Sequence, residues 1–401
     1  MKRVAELGLF ALPAVVGLLT APLLARGLGP EDRGYYAIAL AVFSMAATFG
    51  AFGQPEAHAA DLRAVATVSR RTRTRLIVFA SVCAAVISFN ILSFAMGVPL
   101  GAALVTALFA PIVSLGFFWK VDLIAMGNVL GPAVENSLAA IFRLAAIAIL
   151  FLLGALSLNS ALAGTQIAAA GGALILLVMY MVTKRRALSS PVSSADRAVV
   201  DFKRAIIQAL PTIGFATSTA ITLRLDVIVL GILANPEQAG YYAAVVGFSE
   251  SALALSAAFK NRMQAACYRP DAFRRVRREM FVMLAIALPG MAVGELVAPW
   301  LVTSLLGPEF EPAVAIFRVM ILAAIFQLLL DCGQGLLVVL GLRRHLLVVS
   351  VAGALVTLVS LTLLVPSAGG VGAAWASVIG YGTVGAASLA IAYKALRPVV
   401  Q

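Results

Sequence analysis

Three arginines, Arg143, Arg224 and Arg318, lie inside apolar stretches long enough to cross a lipid bilayer. An ionised side chain near the middle of a bilayer costs roughly 2.5–3.5 kcal/mol on insertion scales, so these arginines are expected to face a protein interior. An arginine side chain is a planar fork of several donors that holds phosphate oxygens in two directions. The three side chains are therefore candidate contacts for a phosphate-bearing group, and also for neighbouring carboxylates.

Polar side chains accompany two of these arginines at helical spacing. Asn136 precedes Arg143 by about two helical turns, which places both residues on one face of a helix. Thr222 and Asp226 lie one turn apart and continue a polar stripe, from which Arg224 is displaced around the helix. Asn136 and Thr222 therefore join the three arginines as candidate substrate-binding residues.

Several carboxylates also fall within apolar stretches. Burial raises the affinity of a carboxylate for a proton, so such residues are candidates for coupling to protons or sodium. The alternative is that they neutralise the arginines and hold helices together. The candidate ion-coupling residues are Asp226, Glu250, Glu295 and Asp331.

The composition indicates that lipid surrounds most of the chain. Its 401 residues are 62% hydrophobic and 12% charged, with a mean hydropathy of +1.01. A soluble domain is about half apolar and about a quarter charged. Apolar runs recur along the whole length and predict an all-α membrane protein of about twelve transmembrane helices. The predicted spans are 5–26, 35–54, 76–98, 100–119, 133–155, 160–182, 207–233, 241–259, 280–306, 313–341, 346–365 and 371–393.

The distribution of positive charge gives the orientation. Nearly all of the 30 lysines and arginines lie in alternate loops, and the intervening loops contain only Arg26 and Arg33. Because basic loops stay in the cytoplasm, this pattern places both termini there, in a bacterial inner membrane. The net charge of +12 is then explained by topology and by contact with anionic membrane lipid, and nucleic acid is not an expected partner.

A short motif occurs twice, at residues 30–37 and 236–243. The two copies differ only where Asp32 and Arg33 are replaced by Gln238 and Ala239. Each copy follows the first span of its half of the chain, so proline and glycine bracket a turn on the outer face. The paired tyrosines of each copy are expected to lie at the lipid interface.

The repeat predicts the domain organisation. Six spans is an even number, so both halves enter the membrane from the same side and form parallel repeats. Such repeats are expected to enclose a V-shaped central cleft. The predicted parts are a six-helix lobe at 1–183, a cytoplasmic linker at 184–204 and a second six-helix lobe at 205–401.

The repeated motif, Leu-Leu-Gly-Pro-Glu-Phe at 305–310 and Gly-Val-Gly-Ala-Ala-Trp-Ala at 370–376 resemble the polysaccharide-biosynthesis flippases. That family includes the Wzx-type O-antigen flippases, within the multidrug/oligosaccharidyl-lipid/polysaccharide flippase superfamily. The resemblance implies alternating access by two six-helix lobes. It also implies transport of an undecaprenyl-diphosphate-linked oligosaccharide for lipopolysaccharide, O-antigen or exopolysaccharide export, coupled to an ion gradient and alongside partners in polysaccharide assembly.

Other functions are disfavoured by what the sequence lacks. It contains no phosphate-binding loop for ATP, no Cys/His metal cluster and no plausible Ser–His–Asp set, so neither catalytic residues nor a cofactor are expected. A glycosyltransferase or ligase would need larger outer loops than this chain offers. A major-facilitator carrier would carry a basic Gly-rich motif after the second span. The remaining alternative is an ion-coupled multidrug or organic-cation exporter of the same superfamily, which would need a net acidic cleft.

Overall fold

The structure is a computed structural model that describes most of the chain. The described residues are 2–50, 66–68, 70–126, 128, 130–188, 198–200, 218, 222–250, 253–269 and 271–396. Nearly all of them are helical. The exceptions include two short strands, β1 (Ala66–Val68) and β2 (Ala198–Val200), which pair in parallel outside the predicted spans.

The helices follow the apolar stretches of the sequence. They are α1 (Lys2–Gly50), α2 (Arg70–Asn90), α3 (Leu100–Ala125), α4 (Leu130–Leu152), α5 (Leu158–Leu188), α6 (222–233), α7 (Pro236–Glu250), α8 (Leu253–Cys267), α9 (Ala272–Leu306), α10 (Ala313–Val339) and α11 (Arg343–Leu396). A short π-helical segment, Ile91–Ala95, continues α2, and a 3-10 turn, Pro308–Phe310, follows α9.

Two of these helices contain a turn at a glycine. In α1 the backbone leaves helical geometry at Gly29, where φ is 73°, and in α11 it does so at Gly369, where φ is 52°. Only glycine adopts a positive φ without steric cost, so each long helix divides there into two helical segments. Both turns fall between consecutive predicted spans.

The protein is a multi-pass membrane protein. Seven helices of the described residues are long and apolar enough to cross a bilayer, and two of these are the divided helices α1 and α11. Each predicted span overlaps a described helix. The first part of the seventh predicted span, 207–217, and most of the predicted linker, 184–204, lie outside the described residues.

The chain forms two compact units. Unit 1 comprises Met1–Leu23 and Ala39–Thr217, and unit 2 comprises Leu24–Ile38 and Ser218–Gln401. The turn of α1 at Gly29 thus packs with the second half of the chain. A Cβ placed on Gly34, just after that turn, would collide with the backbone carbonyl of Pro236.

Close helix packing within each unit depends on small residues. In unit 1, Gly116 of α3 approaches Ala173 of α5, and Gly164 of α5 approaches Ala146 of α4. In unit 2, a Cβ on Gly333 of α10 would approach the backbone of α11. Interfaces of this kind are common in membranes, where close backbone approach replaces the hydrophobic effect as the source of helix association. They fix the helices that carry the candidate site residues.

Candidate functional site

The polar groups of unit 1 centre on α4. Asn136 is exposed near the start of this helix, and its Oδ1 accepts a hydrogen bond from Nζ of Lys120 at 3.1 Å. The same ammonium lies 3.6 Å from a carboxylate oxygen of Glu135. The predicted span 100–119 ended before Lys120, but α3 continues to Ala125, so this lysine is a helix residue and not a loop residue. The correction adds a cation beside a predicted site residue.

Arg143 lies about two turns further along α4. Its side chain is half-buried, and its buried Nε makes no hydrogen bond with any described residue. No ion pair joins it to a carboxylate in the described part of the chain. A buried donor without a partner costs free energy comparable to a lost hydrogen bond, so this guanidinium retains binding capacity for a ligand.

A second unsatisfied group lies in α5. Gln166 is only 1% exposed, and neither its amide nitrogen nor its amide oxygen has a hydrogen-bond partner among the described residues. The sequence analysis did not select this residue, because a single glutamine in an apolar helix gives no spacing signal. Unit 1 thus buries polar atoms that its own described residues leave unsatisfied.

The polar stripe of α6 is buried in unit 2. Thr222 and Asp226 are each 4% exposed. The Thr222 hydroxyl donates to the carbonyl of Ser218, one turn earlier. The Asp226 carboxylate accepts hydrogen bonds from the Tyr242 hydroxyl and from the backbone N–H of Val227.

Tyr242 extends this network to α11. Its hydroxyl lies 3.1 Å from the hydroxyl of Ser377, and its side chain is fully buried. The prediction that the paired tyrosines lie at the lipid interface is wrong for Tyr36, Tyr241 and Tyr242, which are all buried in the protein. A tyrosine can be buried when its hydroxyl finds a partner, and Asp226 supplies one. The signal was present in the sequence as a second tyrosine and an aspartate in neighbouring spans.

Arg224 lies on the opposite side of α6 from the buried pair. Its side chain is exposed, whereas Thr222 and Asp226 are buried, as their angular separation along the helix predicted. Arg224 therefore lies on a different face of the helix from the stripe. The side chain of Glu250, at the end of α7, lies outside the described residues.

Arg318 and Glu295 form a pair in unit 2. The guanidinium Nε of Arg318 in α10 lies 3.7 Å from a carboxylate oxygen of Glu295 in α9. Their side chains are 52% and 36% exposed. Arg318 was predicted as a substrate contact and Glu295 as an ion-coupling residue. The structure pairs these two residues with each other.

Asp331 lies in a third polar group, between α8 and α10. Its carboxylate accepts a hydrogen bond from the buried hydroxyl of Ser256. The stem of Lys260 covers Gly335, one turn after Asp331, so the ammonium is near enough to interact with the carboxylate. The sequence analysis did not select Ser256 and Lys260, because their spacing forms no polar stripe with other residues of the span. In the part of the chain that the structure describes, no cluster of three His, Cys, Asp or Glu side chains could hold a metal ion.

The sequence matches the family model described as "Polysaccharide biosynthesis protein" over residues 10–255, which is more than half of the chain. No curated protein matches the sequence significantly.

Solved structures of similar fold extend the comparison to the whole chain. The lipid II flippase MurJ, in an inward closed conformation, has a TM-score of 0.72 at 13% identity, and the match covers 95% of this chain and 86% of that one. An inward-facing multidrug resistance MATE family transporter of the MOP superfamily has a TM-score of 0.67 at 14% identity, covering 99% and 100%. At these identities the likeness establishes the fold.

Proposed function

The chain belongs to the polysaccharide biosynthesis protein family, and from this premise we propose that it is a flippase for a lipid-linked oligosaccharide. The expected resemblance to that family is confirmed. The proposed substrate is an oligosaccharide on an undecaprenyl-diphosphate carrier, moved from the cytoplasmic to the outer leaflet by alternating access. The export of O-antigen or exopolysaccharide is the corresponding cellular role, in an inner membrane with both chain termini in the cytoplasm.

The observation that supports this substrate is the state of Arg143. The residue is half-buried within an apolar helix, and its Nε is unsatisfied by the described residues. A diphosphate leaving water needs fixed donors, and a guanidinium supplies two parallel hydrogen bonds to phosphate. Lys120, near the end of α3, adds a second cation in the same unit, where its ammonium contacts Asn136 and Glu135. An apolar or cationic substrate would leave the Arg143 donor unsatisfied.

Asp226 is the proposed ion-coupling residue with the clearest structural support. It is buried, and its carboxylate accepts hydrogen bonds from the Tyr242 hydroxyl and from the backbone N–H of Val227. A buried carboxylate that reaches no lipid is a plausible place for a coupling ion to bind, and this is the proposed role of Asp226. Asp331, with Ser256 and Lys260, is the second candidate. Glu250 and Glu295 remain proposals with less support.

The test is translocation in proteoliposomes. Purified protein is reconstituted with a fluorescent undecaprenyl-diphosphate-linked oligosaccharide, and the outward-facing fraction is followed by an impermeant quencher, with and without a proton or sodium gradient. The proposal expects protein-dependent movement that Arg143→Ala reduces. Equal rates in vesicles with and without protein would contradict it.

The competing hypothesis is an exporter of organic cations. The buried carboxylate of Asp226 and the half-buried carboxylate of Asp331 favour it, since a carboxylate in a low-dielectric site attracts a cation. The same vesicles loaded with a cationic dye decide between the two. An exporter moves the dye and ignores the diphosphate lipid, whereas the proposed flippase does the reverse.

A further inference from the structure

A lysine and a glutamate of unit 1 form an ion pair that the sequence analysis did not select. Nζ of Lys120 in α3 lies 3.6 Å from Oε2 of Glu135 in α4, and it donates a hydrogen bond to Oδ1 of Asn136 at 3.1 Å. The side chains of Lys120 and Glu135 are 30% and 14% exposed. Opposite charges this close favour the charged forms of both groups. Glu135 is therefore the anion that neutralises Lys120 within the protein.

The glutamate is held in a fixed position. A Cβ placed on Gly172 of α5 would lie 2.9 Å from Oε1 of Glu135 and 3.4 Å from its Cγ, so the carboxylate lies directly against this helix. Two residues later, Ser137 donates a hydrogen bond to the carbonyl of Leu9, which ties this turn of α4 to α1. The carboxylate therefore has little freedom to follow a partner that moves.

The lysine is held less firmly. Oε2 of Glu135 makes no hydrogen bond with any described residue, so charge attraction alone joins it to the Lys120 ammonium. A lysine has a flexible four-carbon stem and three donors on its ammonium. Asn136 can keep one of these donors while the others turn to a new acceptor. Lys120 is thus the partner that can leave the pair.

Lys120 and Arg143 lie within reach of one ligand. Asn136, which accepts the hydrogen bond from Lys120, shares a face of α4 with Arg143 at a separation of about two turns, or about 10 Å along the axis. Helical side chains lean toward the N-terminus of their helix, so the guanidinium of Arg143 is expected to lie nearer to Asn136 than its own Cα does. A diphosphate held by Arg143 would offer its second phosphate to Lys120. That phosphate and the carboxylate of Glu135 would then compete for one ammonium.

We propose that Glu135 is an internal competitor of the substrate phosphate for Lys120. It gives up the ammonium when a diphosphate enters unit 1 and takes it back when the diphosphate leaves, which keeps the affinity low enough for release. The inference rests on the proposed flippase function, to which it adds Glu135 as a positioning residue that acts through Lys120. A pair that only held α3 to α4 would instead support the site, and breaking it would weaken binding.

The sign of the change in affinity caused by Glu135→Gln tests the proposal. The amide occupies the same place against Gly172 but carries no charge. Binding of farnesyl diphosphate, a short-chain probe that carries a diphosphate, is measured by isothermal titration calorimetry on the purified protein. The dissociation constant is expected to fall about fivefold, the effect that loss of one partly exposed ion pair can supply. An unchanged or higher dissociation constant overturns the proposal, as does a probe that binds neither protein.

A matched control exists in unit 2. Glu279 of α9 is 17% exposed and lies 3.7 Å from a guanidinium nitrogen of Arg262, so it resembles Glu135 in exposure and in the distance to its cation. Glu279→Gln removes the same charge from the protein and should leave the dissociation constant unchanged. Where Glu135→Gln does not fold, Glu135→Ala takes its place, because it needs no space beside Gly172.

A double-mutant cycle with Lys120→Gln shows whether the two anions share that cation. Lys120→Gln alone should weaken binding, and Glu135→Gln should add little in that background, because no ammonium is left to compete for. A fivefold gain in both backgrounds would mean that Glu135 acts by repelling the phosphate, and it would overturn the competition.

Transport measurements separate this proposal from the flippase proposal. In proteoliposomes with the fluorescent diphosphate-linked oligosaccharide, Glu135→Gln is expected to lower both the half-saturating substrate concentration and the maximal rate, because tighter binding mostly slows dissociation. An unchanged maximal rate beside tighter binding overturns the role in release and leaves the flippase proposal standing. Absence of translocation by the parent contradicts the flippase, while calorimetry still decides on the competition for Lys120.

Discussion

The candidate site residues of unit 1 and unit 2 differ in how their polar atoms are satisfied. In unit 1, Arg143 and Gln166 keep buried polar atoms that no described residue binds. In unit 2, Asp226 and Asp331 each accept a hydrogen bond from a hydroxyl. An unsatisfied group is costly unless a ligand or water completes it, whereas a satisfied network stabilises the fold by itself. The difference suggests that anion binding belongs to unit 1 and ion coupling to unit 2.

The largest expected effect comes from Arg143→Ala. A hydrogen bond to a charged group is worth about 1.5–3 kcal/mol, so the rate of translocation should fall by roughly ten- to a hundredfold. The melting temperature should not fall, because the substitution removes a buried donor that lacks a described partner. Arg143→Lys is the control and should recover part of the rate. A variant with normal transport would end the assignment of anion binding to unit 1.

Asp226→Asn should give the next largest effect, which should appear in the dependence of translocation on an ion gradient. The amide oxygen still accepts from Tyr242, so the fold should survive with a loss of about 1–3 kcal/mol or less. Translocation driven by an ion gradient should be lost while movement without a gradient persists. Thr222→Val, one turn away, is the matched control and should keep the gradient dependence. Retained gradient dependence in Asp226→Asn would remove this residue from the coupling role.

Gln166→Leu should raise stability. The substitution replaces a buried amide, whose atoms have no described partner, with an apolar side chain of similar size. Relief of unsatisfied polar burial is worth about 1–3 kcal/mol, so the melting temperature should increase by a few degrees. Thr165→Val is a control in the same turn, because Thr165 does have an interaction partner and should lose stability. A lower melting temperature for Gln166→Leu would mean that water or substrate completes this amide.

Arg318→Gln should have the smallest effect. The Arg318–Glu295 pair is about half exposed, and an exposed pair contributes less than about 1 kcal/mol. Translocation should therefore stay within about twofold of the parent, and Glu295→Gln should behave alike. A tenfold loss in Arg318→Gln alone would instead extend anion binding to unit 2 and weaken the comparison between the units.

Much of the fold could be predicted from the sequence. Apolar length and the alternation of basic loops predict the helices, and the turns at Gly29 and Gly369 fall where the spans were separated. Such signals survive in a single sequence because each depends on local composition. The extension of α3 beyond Lys120 was missed, since a lysine near a span end can belong to either a loop or a helix.

Less of the candidate site could be predicted. The spacing of Thr222, Asp226 and Arg224 correctly separates the buried face of α6 from the exposed one. The partners of Asp226 and Asp331 could not be predicted from the sequence. Tyr242 and Ser256 come from other helices, and their approach to these carboxylates depends on tertiary packing. The repeated motif was visible as a turn, but its contact with its own copy required coordinates.

The length of helix α9 can be compared with the thickness of a bilayer. It is 35 residues long, or about 52 Å at 1.5 Å per residue, which exceeds the roughly 30 Å of hydrocarbon in a bilayer. Its outward-facing apolar side chains begin at Phe281 and end at Leu305, about 36 Å apart. The carbonyls of Ser304 and Leu305, which accept hydrogen bonds from Arg26, lie at the end of this apolar stretch. At the end of an apolar stretch a guanidinium is within reach of lipid phosphates, so we expect the hydrogen bonds of Arg26 to α9 to weaken as the anionic lipid content of the surrounding leaflet rises.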